Sequence, residues 1–257
     1  MKLKHLSLLL CFLFSTLLFA QKAEDLIKEG DKLKDSFNDQ GALNSYLQAE
    51  KLAPADWEIQ WRISRSYVDI AAHMPESTSE QKDKQLAVFQ KGLSFAEQAI
   101  KLAPGQSITY LRRAIANGRI ALFKGVFSVG SVVNSVKSDC EKAIQLNNGG
   151  NYTQALAHYV LARTNAKISE KWAPARSVLG LGWADNEIAL TEYQKAVSLF
   201  PNYRMFYLDY ARSLIREDKY SEAKDVLNKC IYSPQQEEDD VSRLGEAKLM
   251  LNEIKNK

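Results

Sequence analysis

Three arginines follow a small residue in recurring helical frames. "RISRSY" sets Arg65 after Ser64, "VLARTN" sets Arg163 after Ala162, and "DYARSL" sets Arg212 after Ala211. A guanidinium is a planar fork of donors that grips a carboxylate or phosphate through two parallel hydrogen bonds. Arginines in equivalent places of repeated helices therefore predict an anion-binding trough. Trp61 and Tyr159 each stand four residues ahead of their arginine, one helical turn away, and would line the same surface. The same spacing equally serves an internal purpose, with the arginines paired to Asp and Glu of neighbouring helices, because charged side chains are seldom buried unpaired.

Other chemistry finds no matching residues. Beyond the first 20 residues the histidines are His73, at the edge of a polar stretch, and His158, expected to open a helix. Neither has a metal-ligating side chain at zinc-site spacing. "GVFSVGS" has the glycines of a phosphate loop without the lysine that would reach the phosphates. No nucleophile elbow is present. The acidic run from Glu237 to Asp240 suits a helix N-terminus better than a metal. Cys140 and Cys230 lie among apolar neighbours and read as buried thiols. The expectation is a protein that is not an enzyme, without catalytic, cofactor or metal residues.

The elements carrying the arginines repeat. Ala42, Tyr46, Ala49 and Pro54 are spaced by four, three and five; Gly92, Ala96, Ala99 and Pro104 copy that spacing, as do Ala189, Tyr193, Ala196 and Pro201. Val136, Cys140 and Ala143 repeat it with Asn148 in place of proline, and Ala223, Leu227 and Cys230 with Pro234 one residue early. Spacings of three and four keep one face of a helix, and proline ends it. Ahead of each stands a partner helix with a small residue where the two approach closely: Gly30, Ser64, Ala114, Ala162 and Ala211. This is the tetratricopeptide pattern. It predicts an all-α, tetratricopeptide-like superhelix of about five helix pairs plus a capping helix over 233–254, with insertions at 73–85 and 166–187.

The N-terminus reads differently. "MKLKH", then "LSLLLCFLFSTLLF", then "LFA" have the layout of a secretory signal peptide over residues 1–20, cleaved between Ala20 and Gln21. A retained anchor is the alternative. Cleavage would remove Lys2 and Lys4 from 34 Lys and Arg, leaving 32 against 31 Asp and Glu. That balance disfavours nucleic acid, which calls for clustered excess positive charge. No later stretch is long and apolar enough to span a membrane. The repeat domain then occupies 21–257.

"WRISRSY", "AEQAIKLAP", "CEKAIQLNNGG", "AHYVLAR", "ALTEYQKAVSLFPN" and "EEDDVSRLGEAKLML" resemble, in that order, the regulator of microtubule dynamics family over roughly residues 57–254. The resemblance includes the long insertion in the fourth pair, and implies a tetratricopeptide-like helical domain. "NNGG" departs from the family's Asn-Pro, and Ala162 stands where it tends to have glycine. With a bacterial-type export signal, cytoplasmic microtubules would be out of reach of this member.

These readings converge on an exported, periplasmic or secreted scaffold that binds a protein or peptide partner, acidic in character, in its groove. Arg65, Arg163, Arg212, Trp61 and Tyr159 are the groove residues. The alternative is a small-molecule binder, for a lipid or organic acid, using the same groove with the apolar 120–133 stretch as its floor.

Overall fold

In the computed structural model, residues 21–125 and 130–257 are described. The expected signal segment, 1–20, and the centre of the 120–133 stretch lie outside them. The described residues form helices and connecting turns: α1 (21–35), α2 (Asp39–Leu52), α3 (Trp57–Ala72), α4 (Ser79–Leu102), α5 (Ser107–Lys124), α6 (Gly130–Leu146), α7 (Gly150–Ser169), α8 (Ala173–Val178), α9 (Asn186–Leu199), α10 (Arg204–Arg216), α11 (Tyr220–Tyr232) and α12 (Asp240–Glu253).

The proline-terminated helices end alike. α2, α4 and α9 stop two residues before Pro54, Pro104 and Pro201, and the intervening residue (Ala53, Ala103 or Phe200) has φ near −140°. Proline forces its predecessor out of the helical region. In each copy that residue's N–H closes the last turn on the stripe alanine, Ala49, Ala99 or Ala196, at 2.9–3.0 Å. α6 ends without proline. Asn147 turns left-handed (φ 47°), followed by Gly149 and Gly150 at φ 83° and 78°. The Asn148 side chain accepts from Ser107 N at 2.8 Å and donates to the Gly105 carbonyl at 2.8 Å. "NNGG" thus exchanges a stop for a clamp on the start of α5.

The small slots are as read. Gly30 is buried, and Ser64, Ala114, Ala162 and Ala211 have no exposed surface. A Cβ on Gly30 would lie 2.4 Å from the Tyr46 ring, and one on Gly92 would meet Val68 and the Ser64 carbonyl. First and second helices pair as α1/α2, α3/α4, α5/α6, α7/α9 and α10/α11, with α12 against α11 and α10.

The chain divides into two compact units, Met1–Pro104 and Gly105–Lys257. The first has a core of Ala42, Leu43, Tyr46, Ala49, Ile59 and Ile63. In the second, Tyr207, Leu208, Leu214, Leu227 and Ile254 form one cluster, and Ala121, Val133, Ile168, Leu181 and Ala184 another. Of the two expected insertions, the first is mostly helix. α4 begins at Ser79, where Thr78 Oγ1 accepts from Gln81 N and the Gln81 side chain returns to Thr78 N, a reciprocal cap. The second extends α7, adds α8 and turns at Gly180 (φ 68°). It brings Leu181 down onto Ala121, Val133 and Ile168.

No helix among the described residues is long and apolar enough to cross a membrane.

Candidate functional site: two arginine clusters

The predicted arginines fall into two clusters, one in each unit. In the first, Asp31 of α1 is the hub. Arg62 Nε donates to its two oxygens at 3.0 and 3.1 Å, and Arg65 Nη2 to Oδ1 at 3.3 Å. Tyr46 of α2 donates its hydroxyl to Asp31 at 2.6 Å and accepts from Arg65 at 2.9 Å. Trp61 lies under both guanidiniums, with Arg62 4.4 Å and Arg65 5.2 Å from its ring centroid, a cation–π arrangement. Arg62 also holds Glu58 at 3.0 Å. Burial raises the Asp31 carboxyl, but the bonds from Arg62 and Tyr46 and the charges of Arg62 and Arg65 hold it below the usual carboxylate range.

In the second unit the hub is Asp209 of α10. Tyr159 of α7 donates to Oδ2 at 2.6 Å, and Arg163 Nη1 lies 3.1 Å from the same oxygen and 2.8 Å from the Tyr159 hydroxyl. Arg212, one turn on, donates to Asp209 Oδ1 through Nη1 and to Glu246 of α12 through Nη2. Tyr159 is buried and stacks on Phe206, centroids 4.8 Å apart. Burial pushes Asp209 up, yet the Arg163 charge, the Tyr159 hydrogen bond and Arg212 more than offset it, and its carboxyl stays below the ordinary range. For the Tyr159 hydroxyl, burial outweighs the Arg163 charge and raises it.

What reaches solvent differs. The Asp209 side chain is 8% exposed, whereas Arg163 and Arg212 are 34% and 40% exposed. In the first unit the carboxylate is the exposed member, Asp31 at 38% against 18% for Arg65. The second cluster therefore offers guanidinium surface on a pinned base, and Arg163 Nη2 makes no hydrogen bond among the described residues. The first offers chiefly its carboxylate.

Arg163, Arg212 and Tyr159 are thus brought together in the second unit, and Arg65 and Trp61 in the first. Sequence reading allowed that Asp and Glu of neighbouring helices would pair with them, but did not pick out which. The repeat period was the signal: Asp31 to Arg65 and Arg212 to Glu246 each span 34 residues. Asp209 lies three residues before Arg212 on one helix, a spacing that faces side chains together. His158 lies inside α7, not at its start, and its Nδ1 is 2.5 Å from Glu192 Oε2 on α9; only the inter-helix packing reveals this. In the described part of the 120–133 stretch, Ala121 and Val133 pack against the chain's own Leu181 and Ala184, while Leu122 is 48% exposed. No hydrogen bond or ion pair of Arg163 or Arg212 runs to residues 166–187.

Among solved structures, a thermophilic tetratricopeptide protein from Thermus thermophilus is similar, with 16% identity and a TM-score of 0.61, over 88% of this chain and 99% of that one. MamA (41-end) from Desulfovibrio magneticus matches at 15% identity and a TM-score of 0.46, over 82% and 93%. At such identity the first of these is a likeness of fold. No curated protein matches the sequence significantly. Residues 19–255 match the family described as Regulator of microtubule dynamics protein 1-3, so helix order, unequal spacing and fold agree: this chain belongs to the regulator of microtubule dynamics protein 1-3 family.

Proposed function

We propose that the chain is an interaction scaffold that binds an acidic protein or peptide segment on the first-helix surface of its second unit, where α7, α10 and α12 are neighbours. One observation carries the reading: two partly exposed arginine side chains, Arg163 and Arg212 at 34% and 40%, are held on a single buried carboxylate. Such a base removes most of the side-chain entropy cost of gripping an anion, so the contact energy goes into binding. We read the protein as non-catalytic, a reading that its membership of a helical-repeat family supports.

The test uses a fluorescein-labelled deca-glutamate peptide, with its glutamine counterpart as control. Arg163→Ala and Arg212→Ala should each weaken binding by roughly 1–3 kcal/mol. Arg65→Ala should leave affinity unchanged and lower the melting temperature. If Arg163→Ala and Arg212→Ala lower stability alone, both are internal struts and the reading fails.

We also infer export, from the layout of residues 1–20. Mature protein should begin at Gln21 on N-terminal sequencing; an intact Met1 on membrane-bound protein would replace cleavage with an anchor.

A further inference from the structure

α12 is built as a first helix, yet the described chain provides it with no second one. Its Gly245 stands 34 positions after Ala211, and Glu246 after Arg212, so the slot and its follower recur in register. Its contacts recur too. α10 packs on the preceding α9 and α7, and α12 on the preceding α11 and α10.

The difference lies on the other face. In α3 and α10 the residues four before and four after the slot (Gln60 and Val68, Tyr207 and Ile215) are buried or partly buried. Val68 does this by packing at the Gly92 position of its second helix, α4. The corresponding residues of α12 are Val241 and Leu249, exposed to 67% and 66%. A Cβ at Gly245 between them would meet no described atom within 4 Å. A helix face left to solvent is normally polar. This one shows an apolar seat centred on glycine, continuous with an interface that the fold uses in each of its helix pairs.

We infer that this face of α12 seats one amphipathic helix of a partner protein, bearing the small-and-apolar stripe of the chain's own second helices. The incoming helix would take the place that α11 takes on α10. Its small residue would sit over Gly245 and its apolar neighbours between Val241 and Leu249. This is an i, i+4, i+7 recognition of the helix-in-groove kind, distinct from the arginine cluster.

The probe is a stapled, fluorescein-labelled peptide with the sequence of residues 220–232 and Cys230→Ser, titrated against the full chain by anisotropy. Saturable binding at about 10–100 µM is expected, as suits a one-helix interface. Gly245→Leu, which fills the slot, and Leu249→Glu, which charges the seat, should each weaken it at least about tenfold (1.4 kcal/mol). Neither should lower the melting temperature much, since both positions face outward. Arg163→Ala should leave the peptide's affinity as it was. Absence of saturation, or affinity unmoved by both α12 variants, overturns the inference. So does sedimentation showing that the full chain dimerises through this face and that Gly245→Leu dissociates it, since the occupant is then a second copy.

Discussion

The two arginine clusters are made from the same parts and face the solvent in opposite ways. Each has one aspartate, one tyrosine hydroxyl and two arginines. In the first unit the tyrosine comes from a second helix, and the aspartate hub lies at the edge of the cluster. In the second the tyrosine comes from a first helix, and the hub lies beneath its arginines. An ion pair with an exposed carboxylate is screened and contributes little. A buried carboxylate is costly unless every lone pair is met, and removing it strands the groups around it. One cluster is therefore a strut between repeats, and the other a base that turns cations outward.

The sharpest way to break this contrast is to remove the hubs. Asp209→Ala leaves two guanidiniums and the Tyr159 hydroxyl without their shared acceptor, and should cost roughly 3–5 kcal/mol in urea melts. Asp31→Ala should cost about 1 kcal/mol or less. Equal costs would mean that exposure does not separate the clusters. Acid supplies a second reading. Both carboxyls are lowered in the folded chain. Their stabilisation is thus complete above the unfolded value, about 3.9, and is lost as pH falls through the lower folded value. Stability should fall below about pH 4, and Asp209→Asn should flatten that loss more than Asp31→Asn.

A second contrast lies in how the pairs end. Pro54, Pro104 and Pro201 stop α2, α4 and α9, whereas Asn148 stands at that place after α6. Restoring the repeat's residue by Asn148→Pro should be harmful. It removes the side-chain bonds to Ser107 N and the Gly105 carbonyl, and the Asn148 N–H bond to Ser107 Oγ. It also crowds Asn147, which is left-handed. The expected loss is roughly 2–4 kcal/mol, and an unchanged denaturant midpoint would show that the clamp is idle.

Much of the fold was legible because it rests on local rules. Proline spacing ended three helices where expected, and the small slot at Ala114 has no exposed surface. What stayed hidden depends on which helices become neighbours. Periodicity marks Arg163 and Arg212 as sharing a position, but the acceptor between them is fixed by the approach of α7 to α10. Likewise 233–254 read only as a capping helix. Its register as a sixth first helix emerges only once Gly245–Glu246 is set one period after Ala211–Arg212.

The small slots give a milder comparison. Gly30→Ala would press a methyl into the Tyr46 ring and disturb its bonds to Asp31 and from Arg65; Ala211→Leu would overfill the corresponding contact in the second unit. Each should cost about 1–3 kcal/mol. Changes at exposed Glu80, whose ion pair with Lys84 lies within one turn, should stay within about 0.5 kcal/mol. If all three variants melt together, the slot register is wrong.

The smallest effect expected has the opposite sign. Gly245 occupies the same slot in α12 as Gly30 in α1, but a Cβ there would meet no described atom within 4 Å. No close partner demands glycine in the free chain, while glycine inside a helix carries extra conformational entropy in the unfolded state. Gly245→Ala should therefore stabilise the protein by roughly 0.5–1 kcal/mol. Alanine already fills this slot at Ala114, Ala162 and Ala211, so the variant should also keep affinity for a seated helix, unlike Gly245→Leu. Paired denaturant melts of Gly245→Ala and Gly30→Ala decide the point. Destabilisation by both would mean that the α12 slot is covered in the free protein, and α12 would then be an ordinary cap.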